Sequence, residues 1–203
     1  DNPDVLHTEE GIDILRDIAT IETELLFADL QLIETRLSRI NAGSKKKLEH
    51  PLEEATLKKC QELLLEEKPL KLLELNEEES EALRHITFLT NKPMLIVVNV
   101  DEKQLASGEY PQRAEVEAYC AAQGYELLTV CAKSEEEIEQ LPPEDRELFL
   151  AELGVTESGV SRMAKALYRQ LGLISFLTAG EPEVRAWTIA KGTKAPQAAG
   201  KIH

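Results

Sequence analysis

The most constraining feature of this chain is the stretch Pro93-Met94-Leu95-Ile96-Val97-Val98-Asn99-Val100-Asp101-Glu102. Five consecutive apolar residues, three of them β-branched, follow the proline and run straight into Asn-Val-Asp-Glu. That pattern predicts a buried strand ending in a polar loop. A continuous apolar run, rather than an alternating one, points to a parallel sheet covered on both faces. In such sheets ligands bind at the carboxyl ends of the strands, where Asn99 and Glu102 stand.

The residues downstream extend this unit. A helix is predicted over about 111–123, ended by Gly124, and a second, mostly apolar strand runs from Tyr125 to Cys131. Strand, loop, helix and strand make a βαβ unit with a right-handed crossover. Ser134 with Glu137 opens a further helix by capping logic, and acidic helices follow to Gly172. One of these, over 158–171, carries Val160, Met163, Ala164, Leu167 and Leu171 on one face, which is expected to cover the sheet. Beyond Gly172 the texture becomes Leu173-Ile174-Ser175-Phe176-Leu177-Thr178-Ala179-Gly180 and Val184-Arg185-Ala186-Trp187-Thr188-Ile189, two β runs joined as a hairpin that opens a second small domain. Trp187, the sole tryptophan, is read as a core or interface residue rather than a base-stacking platform.

Upstream of the strand the periodicity is helical. Residues 1–12 read as a loop around His7, a solvated histidine unless the loop reaches a reaction site. From Asp13 to about Ile40, apolar residues recur at spacings of three and four, which predicts one long amphipathic helix broken at Asn41-Ala42-Gly43-Ser44. Pro51 suits the first turn of a second helix, stopped by Pro69, whose Leu52, Leu57, Cys60 and Leu64 face the first stripe. Together they predict an antiparallel, coiled-coil-like hairpin. At its tip Lys45-Lys46-Lys47 is the main basic cluster, read either as a solvated tip or as a contact for RNA or an acidic partner. Residues 62–81 hold eight glutamates and two lysines, a solvated face. Asn76 with Glu79 predicts a helix start, the helix running through Leu83 and Ile86 to about Leu89.

Composition narrows the function. A chain of 203 residues with 42% hydrophobic content is long and apolar enough for a real core rather than a disordered tail, and no apolar run approaches the ~20 residues of a membrane span. With 38 acidic against 23 basic residues and a net charge of −15, the surface repels phosphate backbones. Nucleic-acid contact would therefore need a local basic patch, and DNA binding is not expected. Cys60, Cys120 and Cys131 lie far apart and the four histidines show no ligand spacing, a pattern of reduced cytosolic thiols without a metal site. Gly200-Lys201 lacks both the preceding glycine and the following Ser or Thr of a phosphate loop. The chain opens on Asp1 without an initiator methionine or signal peptide and is read as a piece of something longer.

An Asn-x-x-acid loop at the end of a strand has two readings: an ordinary polar strand end, or a base-recognition loop. In the second, the asparagine braces neighbouring loops and the acid accepts hydrogen bonds from the base. An aspartate matches guanine, which offers N1–H and the exocyclic amine together, whereas adenine presents an acceptor at N1. Here the acid is Glu102, one methylene longer, so strict guanine selection is not expected. Cys131 and Ala132, small residues after the second strand, would let backbone N–H groups approach the base.

The chain resembles the Obg-like ATPases of the YchF type, a branch of the P-loop GTPases, over nearly its whole length. The resemblance rests on Asp17-Ile18 with Ile21-Glu22-Thr23-Glu24-Leu25 and Ala28-Asp29-Leu30, on Phe88-Leu89-Thr90-Asn91-Lys92-Pro93 and on Val98-Asn99-Val100-Asp101-Glu102. It is densest in Phe176-Leu177-Thr178-Ala179-Gly180, Glu183-Val184-Arg185-Ala186-Trp187-Thr188-Ile189 and Ala195-Pro196-Gln197-Ala198-Ala199-Gly200-Lys201-Ile202-His203. It implies an α/β fold: the C-terminal part of a P-loop nucleotide-binding domain (1–18 and 70–172), an inserted helical hairpin (19–69) and the start of a β-rich TGS domain (173–203).

It further implies a cytoplasmic, monomeric, ribosome-binding ATPase that acts as a nucleotide-dependent switch in translation or stress response, with GTP use left open. Asn99, Val100 and Glu102 would form the altered base loop, Val100 through its backbone; Cys131 and Ala132 would form the second base-contacting loop. His7 would position the hydrolytic water. The phosphate loop and the ligands of a Mg2+ ion would precede Asp1, so this piece alone is expected to bind nucleotide weakly or not at all. The rival reading is a non-catalytic ribosome- or protein-binding module built on the hairpin.

Overall fold

The computed structural model describes residues 11–42, 50–181 and 183–202. They form a mixed α/β molecule of two compact units, one spanning Asp13–Lys92 and the other running from Pro93 onward and including Gly11 and Ile12.

The first unit is helical. Asp13 caps α1 (Ile14–Asn41) by accepting the Arg16 amide at 3.0 Å, and the helix runs unbroken for 28 residues as its spacing predicts. α2 (Glu53–Leu65) begins two residues after Pro51 and ends before Pro69, because Glu67 adopts a left-handed backbone (φ 57°) and turns the chain away. Ile33 and Leu37 of α1 and Leu57, Cys60 and Leu64 of α2 share one buried cluster with Leu70, Leu83 and Phe88. A buried carboxylate flanks this seam: Glu53, wholly buried, accepts from Arg36 Nε at 2.5 Å and faces His85 Nε2 at 3.3 Å. Burying a carboxylate is tolerable only with such charged, hydrogen-bonding partners.

α3 (Glu77–Ala82) starts at the capping box Asn76–Glu79 but stops at Ala82, well short of Leu89. Tertiary hydrogen bonds take the chain out of the helix. Buried Asp29 of α1 accepts the amides of Leu89 and Thr90, each at 2.8 Å, and the Thr90 hydroxyl at 2.7 Å. Because Leu70, Leu83 and Phe88 pack with the hairpin helices, this compact unit is wider than the 19–69 segment drawn from sequence.

The second unit begins with β1 (Leu95–Asn99), followed by α4 (Glu102–Ser107), α5 (Arg113–Gln123) and β2 (Glu126–Val130). The strands pair in parallel, Leu95 opposite Glu126 through Asn99 opposite Val130. Gly124 ends α5 in the left-handed region at φ 67°. The expected cover on both faces is not found among the described residues: the strand pair is two strands wide, and Val97 is 43% exposed.

Then come α6 (Ala132–Gln140), α7 (Pro143–Glu152) and α8 (Gly159–Gln170). α6 starts at Ala132, so Ser134 lies inside the helix, buried, instead of capping it. α8 corrects a second expectation. It packs on β2 through Gly159 and Ala166, both buried, while Val160 and Leu171 are 62% and 54% exposed. Small residues and polar anchors set this rotation. The Gly159 amide donates to Glu135 at 2.6 Å, Gln170 Nε2 donates to the Met94 carbonyl at 2.8 Å, and Arg169 meets Glu126 at 3.1 Å.

β3 (Leu173–Ala179) and β4 (Val184–Ala190) form an antiparallel pair, and α9 (Ala195–Ala199) follows. Trp187 is half-buried; its Nε1 donates to Thr178 Oγ1 at 2.9 Å and the Arg185 guanidinium lies 4.4 Å above its ring. Among the described residues no helix is long and apolar enough to cross a membrane.

Candidate functional site

Parallel register places the carboxyl ends of β1 and β2 side by side, and this alone assembles a polar cluster there. The Val100 amide extends the ladder by donating to the Val130 carbonyl at 2.8 Å, and its side chain is buried. Asn99, exposed at the strand end, reaches across to α6: its Oδ1 accepts the Ala132 amide at 3.0 Å. Ala132 is the first residue of α6, whose own N-cap, Cys131, makes no side-chain cap bond. Helix starts leave their first amides without intrahelical partners. Asn99 thus caps a helix from a neighbouring strand and locks the two loops together.

The residues after Asn99 divide their work. Asp101 caps α4 in a box with Gln104, accepting the Gln104 amide at 2.8 Å while Gln104 Oε1 accepts the Asp101 amide at 3.1 Å. Glu102 opens the helix and keeps an exposed carboxylate, whose Oε1 accepts from Lys133 Nζ at 3.0 Å. Glu137, one turn further along α6, approaches the same ammonium at 3.8 Å. Hydrogen bonding to Glu102, with the charges of Glu102 and Glu137, raises the Lys133 pKa above the ordinary lysine value. The Cys131 thiol is free and buried beneath.

The structure therefore brings Asn99, Val100, Glu102, Cys131 and Ala132 to one end of one strand pair. His7 and Lys45, Lys46 and Lys47 lie outside the described residues. Two participants escape the sequence reading. Helix α4 occupies a stretch whose sequence suggests a loop, although Asp101-x-x-Gln104 carries the spacing of a capping box. Lys133 is the other participant, and its i,i+4 spacing to Glu137 marks it as a helix-face cation. Chemically the cluster offers a hydrogen-bond acceptor and a charged donor side by side, on backbone fixed by two strands and two helix starts. Among the described residues no group of three or more His, Cys, Asp or Glu side chains could hold a metal ion.

The family model YchF-GTPase_C, described as "Protein of unknown function (DUF933)", matches residues 173–203. The chain is 40% identical to the Ribosome-binding ATPase YchF of Bacillus subtilis, aligning 98% of itself with 55% of that protein. It is 36% identical to Obg-like ATPase 1 of Caenorhabditis elegans, over 100% of the chain and 52% of the relative. The solved structure of the Schizosaccharomyces pombe YchF GTPase superposes with a TM-score of 0.80 at 28% identity, covering all of this chain and 56% of that one. The chain thus spans slightly more than half the length of the relatives it matches.

Proposed function

Because the chain belongs to the YchF and Obg-like ATPase family, we propose that its protein is a ribosome-associated nucleotide hydrolase, converting ATP to ADP and phosphate with GTP as a second substrate. This chain supplies the base-recognition half of the site. One observation carries the reading: the Asn99–Ala132 hydrogen bond at 3.0 Å ties the end of β1 to the start of α6 and leaves Glu102 exposed beside it. Asn99 acts as the brace between loops. The Val100 amide is engaged by Val130, so a backbone contact from Val100 uses its carbonyl, which suits the exocyclic amine of adenine. Glu102 faces the base edge, and exposed Ala132 leaves room for the ring.

Phosphoryl transfer rests on positioning and charge stabilisation of the phosphates. That machinery, with any magnesium ligands, belongs to residues other than those described, and His7 is the candidate for orienting water. Residues 173–203 form the start of a TGS domain, the helices around 19–69 an inserted hairpin, and Lys45, Lys46 and Lys47 its contact with ribosomal RNA. The protein acts in the cytoplasm as a monomeric switch. The similarity of the whole chain to proteins named ribosome-binding ATPases supports this assignment.

The test is titration calorimetry of ATP and GTP, with magnesium, into a protein spanning the full length of the relatives and into residues 1–203 alone. Binding of ATP at least as tight as GTP by the long form, with neither bound by residues 1–203, is the expected result. Strong preference for GTP defeats the adenine assignment. Binding of neither nucleotide by the long form hands the function to a ribosome-binding module.

A further inference from the structure

Glu102 alone does not explain how a carboxylate tolerates adenine. Adenine presents an acceptor at N1, which a bare carboxylate repels, and a donor at its exocyclic amine. Guanine presents N1–H and an exocyclic amine, two donors that a bare carboxylate would accept together. The exposed carboxylate of this loop is not bare: Glu102 Oε1 carries the Lys133 ammonium at 3.0 Å. Lys133 comes from the opposite loop, on the first turn of α6 one residue past Ala132, and its side chain is 72% exposed. Glu137 at 3.8 Å holds the same ammonium from its other side. Asn99, by clasping Ala132, fixes the helix start from which Lys133 reaches out.

We propose that Lys133 is a specificity-determining residue of the base site, and that it works as an ion pair with Glu102. The proposal rests on the base-recognition reading of this cluster. The pair sets a donor next to an acceptor. Across the adenine edge, the ammonium donates to N1 while the carboxylate accepts from the exocyclic amine. Across the guanine edge the same two groups are mismatched, with the carboxylate facing the O6 acceptor and the ammonium facing the N1–H donor. The pair therefore matches adenine and removes the two-donor match that a bare carboxylate offers guanine. Deleting the ammonium restores a bare carboxylate and, with it, guanine preference.

The experiment measures the ratio of ATP to GTP affinity, by calorimetry with magnesium, in the protein spanning the full length of the relatives. Lys133→Ala is expected to shift that ratio toward GTP by about fivefold or more, the scale of discrimination carried by a two-point base contact. Lys133→Arg is expected to keep the ratio near wild type, since it keeps a donor on Glu102. In a Glu102→Gln background, Lys133→Ala should shift the ratio by clearly less, because the gain of guanine preference needs the bare carboxylate. Lys133 is largely exposed, so an unchanged thermal transition for Lys133→Ala accompanies the shift. A wild-type protein that binds ATP with a ratio unmoved by Lys133→Ala overturns the inference and leaves the base site standing. An equal shift in the Glu102→Gln background also overturns it. Failure of the wild-type protein to bind either nucleotide overturns both.

Discussion

At the scale of single residues, Asp29 is the clearest case of a buried charge held by its own chain. It takes the amides of Leu89 and Thr90 and the Thr90 hydroxyl, so both carboxylate oxygens are engaged while the residue is 1% exposed. Asp29→Ala strands two amides and is expected to destabilise the protein by roughly 3–5 kcal/mol in urea unfolding, against about 1–3 kcal/mol for Thr90→Val, which removes one of the three bonds and also the bond that the Thr90 hydroxyl accepts from the Leu70 amide. Equal losses for the two would refute this account. Cys60, buried in the α1–α2 seam, gives a pH signature. Desolvation, reinforced by the charges of Glu79 and Asp29, pushes its thiol up to about 11 from a reference value of 9.0. The raised folded value means that the unfolded chain loses its proton first as pH climbs. Stability from this group is complete below pH 9.0 and is lost as pH rises from there to about 11. Stability curves of wild type and Cys60→Ala should converge over that window by on the order of 2 kcal/mol. Parallel curves would rule the thiol out.

At the scale of elements, helix starts that carry a side-chain cap follow local chemistry, while the end of α3, the start of α6 and the helix faces follow tertiary contacts. α1 begins at the Asp13 cap and α3 at the Asn76–Glu79 box, both readable from spacing. The buried face of α8 was not readable in this way. Its apolar stripe suggested one orientation, whereas Gly159 and Ala166 allow the closest approach to β2 and so decide it. A Cβ at Gly159 would lie 2.7 Å from Glu135 Oε1 and 3.0 Å from Val130 Cγ1. Gly159→Ala should therefore displace Glu135 and lower stability by about 1–3 kcal/mol, the usual cost of overpacking. Thermal unfolding beside a Gly172→Ala control, where a Cβ meets nothing within 4 Å but φ is +58°, separates contact from backbone strain. Gly159→Ala melting at or above wild type would refute the close approach.

At the scale of the whole molecule, a net charge of −15 sets the terms of association. If Lys45, Lys46 and Lys47 are the contact with ribosomal RNA, at most three phosphates are neutralised there, and the logarithm of affinity should fall against the logarithm of salt with a slope of roughly −2 to −3. Replacing all three by Glu should remove co-sedimentation with ribosomes; unchanged co-sedimentation would place the contact elsewhere. The sequence by itself determined much of the element plan: the β1 run, the 3.6-residue periodicity of α1, the Asn76–Glu79 cap and the β3–β4 pair, because these depend on residues within a few positions of one another. It also supplied Asn99, Val100, Glu102, Cys131 and Ala132 as the candidate loop residues, since they lie at strand ends. Only the tertiary structure decided how they meet. The Asn99–Ala132 and Glu102–Lys133 bonds join residues 33 and 31 positions apart, and Asp29 reaches Thr90 across 61. Such pairings follow from strand register and from which helix face closes on the sheet. No local period encodes those, because they are settled by the packing of the whole chain.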